Sequence, residues 1–127
     1  MTDALSNARI FWEAAIRVFL PKEPKRNELS LTSVLYALSD EVRLDMVREL
    51  HRRGACACGE FEIDRPKSSL SHHFRVLRES GLVATRREGT ALMNTLRRED
   101  LEARFPKLLD AVLSSKRRKS AASLQTR

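Results

Sequence analysis

The run Ser68-Ser69-Leu70-Ser71-His72-His73-Phe74-Arg75-Val76-Leu77-Arg78-Glu79-Ser80-Gly81 decides how the chain is read. Leu70, Phe74 and Leu77 recur at i, i+4 and i+7, the spacing that lines apolar side chains along one side of an α-helix. Ser68, Ser71, His72 and Arg75 keep the same spacing on the opposite side. A helix is expected from about Ser69 to Ser80, with Ser68 as its N-cap and Gly81 as a left-handed stop. One side of it requires a core, and the other reaches out. The outward set combines short hydroxyls with an imidazole and a guanidinium, groups able to bond base edges and phosphates in a major groove. For the helix taken alone, a plain polar solvent face is the alternative, although such faces usually mix Glu and Lys pairs.

The flanking sequence supplies a setting. Leu82–Thr85 and Ala91–Leu96 read as strands joined through Arg86-Arg87-Glu88-Gly89-Thr90, a glycine-containing hairpin tip. Upstream, Leu31, Val34, Leu35 and Leu38 form one helical stripe, and Ser39 and Asp40 cap a second helix that buries Val42, Met46, Val47 and Leu50 and stops at Gly54. A brief segment with Cys56, Cys58, Phe61 and Ile63 leads to the turn signal Asp64-Arg65-Pro66. A compact helix is therefore expected ahead of the 68–80 helix across a tight turn, with a basic hairpin behind it. This order predicts a mainly α fold with a small β-hairpin wing, a winged helix-turn-helix. From Arg65 to Arg98 there are eight basic residues and two acidic ones, while the whole chain carries +7. Such an excess favours a polyanionic partner, here double-stranded DNA. Ser68, Ser69, Ser71, His72 and Arg75 are the expected groove readers, and Lys67, Arg78, Arg86 and Arg87 the expected phosphate contacts.

The ends differ from this middle. Residues 4–20 carry Phe11, Trp12, Ile16 and Phe19 among helix formers and read as a helix in need of a partner. Pro21 and Pro24 then break the pattern into a linker. Near the other end Leu101, Phe105, Leu108, Leu109 and Val112 follow a helical spacing, with a kink or fresh start expected at Pro106. The last stretch holds Lys116, Arg117, Arg118, Lys119 and Arg127 with little apolar content, and reads as a disordered basic tail. The organisation is thus 1–28 as N-terminal helix and linker, 29–113 as the winged domain with its last helix, and 114–127 as the tail. At 127 residues, 42% hydrophobic and 32% charged, the composition is that of one folded domain. No leader or membrane-length apolar run is visible and two closely spaced cysteines form no secreted framework, so a cytoplasmic protein without a membrane partner is expected.

Three stretches together resemble the ArsR-type (arsenic-repressor-like) regulators: Leu35-Tyr36-Ala37-Leu38-Ser39-Asp40-Glu41-Val42-Arg43-Leu44, then Ser68 through Val83, then Arg86-Arg87-Glu88-Gly89. The likeness covers about residues 31–113. It implies a dimeric bacterial transcriptional regulator, often a repressor, with the Ser68–Arg78 helix in the major groove and the hairpin as wing. It also implies a homodimer built by the first and last helices, which assigns Phe11, Trp12, Ile16, Phe19, Leu108, Leu109 and Val112 to the interface. A twofold dimer would read an imperfect palindrome with half-sites about 34 Å or a multiple apart. The chain departs from the pattern in a Cys58–Ser68 stretch about one residue short, in Glu41 where a proline is common, and in a long segment before Leu29.

Cys56-Ala57-Cys58 is similar to the cysteine pair that metalloid sensors of this family carry. Soft-metal sites need three or four ligands and the chain has two thiols, so three readings stay open: a soft-metal or metalloid effector site, thiol redox sensing, and simple packing. No cofactor is required by any motif. With no phosphate loop, nucleophile arrangement or paired carboxylates, an enzyme is not expected. A winged-helix protein-interaction module without DNA binding is the alternative from another class.

Overall fold

The computed structural model describes residues 23–61, 63 and 65–115, the side chains of Lys67 and Ser68 excepted. The expected helix over residues 4–20, with Phe11, Trp12, Ile16 and Phe19, and the basic stretch from Lys116 onward lie outside the described residues.

Two helices open the body, α1 (Leu31–Leu38) and α2 (Glu41–Arg53). Each begins where a side-chain oxygen accepts a free first-turn amide: Ser30 from Ser33 N–H and, at 3.0 Å, Asp40 from Arg43 N–H. The stripe expected on α1 is turned from its predicted direction. Val34 and Ala37 are buried, whereas Leu31 and Leu35 are 45% and 46% exposed. Ala37 is small enough to let α2 approach, and the buried Arg43 of α2 fixes that rotation. Its guanidinium donates to Ala37 O at 2.8 Å and, at 3.3 Å, to Tyr36 O, which also accepts from Ser39, so it ties down the carbonyl end of α1.

Beyond Gly54 the chain turns extended as β1 (Ala55–Ala57), closes a 3-10 turn at Cys58–Glu60, and reaches α3 (Lys67–Glu79). No α-helix stands between α2 and α3 among the described residues, so α2 is the helix that precedes α3, as expected, across the brief cysteine-bearing segment. The short segment is drawn into a sheet. It pairs antiparallel with β3 (Ala91–Leu96), Cys56 opposite Asn94, while β2 (Val83–Glu88) pairs with the other side of β3, giving the order β1-β3-β2. The hairpin is longer than its sequence suggested, because the ladder continues through Arg86 opposite Met93 and Arg87 opposite Leu92. Only Gly89 and Thr90 are left to turn, with Gly89 at φ +61.

The core gathers Leu70, Phe74 and Leu77 of α3 with Met46, Val47 and Leu50 of α2, Phe61, Leu82 and Val83. The Phe61 and Phe74 rings meet edge to face at 5.1 Å. Each large apolar side chain sunk here contributes roughly 1.5–3 kcal/mol, which is what holds α3 by its apolar side. The C-terminal pattern divides as expected, into α4 (Arg98–Arg104) and α5 (Leu108–Ser114), with Lys107 at φ +68 in the break. Leu109 packs into the body's own core, so it is not a free interface residue; Leu108 and Val112 are half-buried.

Residues 23–30 are more than a linker. They form a strap fixed at several points: Arg97 donates to Pro24 O at 2.6 Å, Arg26 pairs with Asp100 at 2.7 Å, and Arg104 donates to Leu29 O at 2.8 Å. Among the described residues no helix is long and apolar enough to cross a membrane.

Candidate nucleic-acid interface

Helix α3 starts at Lys67 with Pro66 as its N-cap, so Ser68 lies inside the first turn rather than capping it. Pro66 suits that place because its carbonyl accepts the first helical bond, from Leu70 N–H at 3.0 Å, and its ring presets φ. Along the outward side Ser69 and Ser71 are half-exposed, and His72 and Arg75 are exposed. Arg75 pairs with Glu79 one turn on, Nε to Oε1 3.0 Å, and both side chains are about half in water. A pair this exposed is worth little and can open for another acceptor.

Arg78 corrects an expectation. It is only 3% exposed and its Nη2 lies 2.8 Å from Glu23 Oε2, so it faces the strap and not a phosphate. The helical angle was a signal, since Arg78 falls about 40° from Phe74 on the core-facing side. Burial lowers the guanidinium pKa, against the opposing pull of Glu23 and Cys58. Its Nε and Nη1 are buried without a hydrogen-bond partner among the described residues. Arg97 also turns inward, pairing with Asp100 at 3.0 Å. Two of the eight bases counted between Arg65 and Arg98 therefore serve the interior.

On the hairpin Arg86 and Arg87 are both exposed, and as consecutive strand residues they leave the ribbon on opposite faces. Arg86 is held by Glu88 of its own strand at 2.8 Å. His73 turns back from His72 towards the start of α2, with Nδ1 3.2 Å from Arg43 Nη1 and 3.8 Å from Asp40 Oδ2. Burial acts against the Asp40 carboxylate, yet the Arg43 N–H and the nearby His73 and Arg43 charges hold its pKa below the usual value.

Cys56 and Cys58 are both buried, and burial pushes each thiol up to about 11. The side chain of buried Asn94 clamps them: its Nδ2 donates to Cys56 O at 3.0 Å and lies 3.2 Å from Cys58 Sγ, while its Oδ1 accepts from the Thr85 hydroxyl at 2.6 Å. Among the described residues no group of three or more His, Cys, Asp or Glu side chains comes together. Among the described residues the two buried thiols therefore lack the third donor that a soft metal ion asks for.

The sequence does not disclose the partners of Glu23 or the contact between Arg43 and His73. Arg43 left a trace: it sits one turn before Met46 and Val47 on the face where α2 otherwise buries apolar side chains.

A core-anchored helix with a polar outward side, followed at once by an arginine-bearing hairpin, defines a winged helix-turn-helix DNA-binding regulator. The chain belongs to the ArsR-type helix-turn-helix transcriptional regulators, which are not enzymes. The family described as "Helix-turn-helix domain" matches residues 38–86. The chain is 35% identical over 82 residues to the uncharacterised HTH-type transcriptional regulator YceK of Bacillus subtilis strain 168, covering 62% of this chain and 82% of the relative. It is 36% identical over 75 residues to the arsenical resistance operon repressor of Staphylococcus xylosus, covering 57% and 70% respectively.

Proposed function

We propose that the chain is a homodimeric repressor that reads a palindromic operator with α3 and flanks it with the β2–β3 wing. The observation that carries this reading is the division of α3: Ser71, His72 and Arg75 stand outward while Leu70, Phe74 and Leu77 are sunk in the core. Ser68, Ser69, Ser71, His72 and Arg75 then meet base edges, and Lys67, Arg86 and Arg87 meet phosphates. A ribbon laid along a groove has a phosphate wall on each side, which suits two arginines leaving opposite faces. Repression is the activity named for the Staphylococcus xylosus relative. The apolar residues Phe11, Trp12, Ile16 and Phe19, together with Leu108 and Val112, supply the surface for a twofold partner.

Selection of bound sequences from a random duplex pool tests the reading. A recovered palindrome, with half-sites about one helical turn or a multiple apart and a dimer in sedimentation, supports it. Absent or salt-insensitive duplex binding by a folded dimer overturns it in favour of a protein-interaction module.

A further inference from the structure

We infer that His73 is a positioning residue for DNA reading: its contact with Arg43 fixes how α3 is turned about its axis, and hence which side chains α3 offers to a duplex. This inference rests on α3 being the recognition helix. The apolar contacts of Leu70, Phe74 and Leu77 hold the helix down, but they are non-directional. A single residue step on a helix is a turn of about 100°, so His72 faces out only while its neighbour His73 faces in. The His73–Arg43 bond is directional and supplies that constraint.

The chemistry fixes the ring's state. A guanidinium only donates, so His73 Nδ1, 3.2 Å from Arg43 Nη1, offers a lone pair and the ring proton sits on Nε2. Arg43 cannot easily move aside. It is buried, bonded to the carbonyls of Ala37 and Tyr36, and stacked 5.2 Å from the centre of the Tyr36 ring. Protonating His73 would fill the acceptor and set one cation against another. Asp40, 3.8 Å away, opposes this, while Arg43 from α2, His72 from α3 and Arg65 from the preceding loop favour the neutral ring. Burial together with these cations holds the imidazole below its ordinary range despite Asp40. The DNA-competent arrangement is therefore the neutral one, and apparent affinity should scale with the neutral fraction.

Duplex binding followed by fluorescence anisotropy from about pH 5 to pH 7.5 at fixed ionic strength tests this. The variants are His73→Asn, whose amide oxygen can replace Nδ1 without titrating, and His73→Leu, which removes the acceptor. Near neutrality H73N should bind within about twofold of the parent and H73L about tenfold more weakly; once the pH falls low enough to protonate the His73 ring, the parent should lose up to about tenfold per pH unit relative to H73N. Long-range proton–nitrogen NMR of the free protein should show an unprotonated Nδ1, a readout that needs neither DNA nor a substitution. H73L binding as tightly as the parent near neutrality would overturn the inference, as would a proton on Nδ1. His72 and His51 are common to both proteins, so the comparison isolates position 73. Absence of salt-dependent duplex binding at every pH would overturn the α3 reading itself, and this inference with it.

Discussion

The carboxylate of Glu23 lies 2.8 Å from the buried guanidinium of Arg78 and accepts a hydrogen bond from Thr85 N–H at 3.0 Å, joining the strap to α3 and β2. Removing that charge leaves a guanidinium without its counter-ion in the interior. Glu23→Gln should destabilise the fold by roughly 2 kcal/mol, between the worth of an exposed pair and that of a broken buried one, because Glu23 is partly exposed. A lower urea midpoint at unchanged slope is the expected result. Arg78→Met should likewise act on stability, leaving the salt dependence of DNA binding as in the parent. A slope reduced by about one would mean that Arg78 reaches a phosphate after all.

Arg75 and the wing arginines should separate by the kind of loss they cause. Arg75→Ala should cost about 1–3 kcal/mol on the preferred duplex and relax preference at one base position, if its guanidinium leaves Glu79 for a base edge. Arg86→Ala and Arg87→Ala should weaken all sequences alike and flatten the salt slope by about one each. Binding isotherms on selected and random duplexes at several salt concentrations distinguish the two patterns.

Much of this was legible beforehand, and the reasons are local. The i, i+4, i+7 spacing of Leu70, Phe74 and Leu77 carried α3, and Gly89 marked the hairpin turn. What escaped notice depended on partners distant in sequence. Glu23 is 62 residues from Thr85, and no periodicity announces such a bond. For Arg78 the two local signals conflict, its charge pointing outward and its helical angle inward, and the distant Glu23 decides for the interior. That the brief segment before α3 joins the sheet depends on Cys56 pairing with Asn94, 38 residues away, which local propensity cannot register.

Both thiols should resist modification in the folded protein. Their pKa values, raised by burial from 9.0 to about 11, favour the neutral form in the native state. The stability this contributes is fully present below the unfolded value and is lost as pH rises through the folded one. Alkylation by iodoacetamide at pH 8 should therefore be slow, and fast in denaturant. Urea midpoints should fall between pH 9 and pH 11. Rapid labelling of the native protein would reopen thiol sensing.

Gly81→Ala should be severe for two separate reasons. Gly81 has φ +85, and a Cβ there would stand 2.1 Å from Leu29 Cδ2 and 3.2 Å from Pro24 Cγ. Left-handed strain and overpacking together should cost roughly 2–4 kcal/mol. Gly54→Ala, at φ +83 with open space around it, should cost only the strain, so the difference in midpoint between the two variants measures the strap's closeness.

The bond from Thr85 N–H to Glu23 also has a bearing on solubility. Exposed sheet margins are templates on which another molecule can add a strand, and proteins blunt them with charge or cover. Here β1, the strand at one margin of the three-stranded sheet, is only three residues long, while the Glu23 carboxylate caps an outward amide of β2 at the other. A protein whose strap is released should aggregate at concentrations its parent tolerates, before any loss of helix is visible.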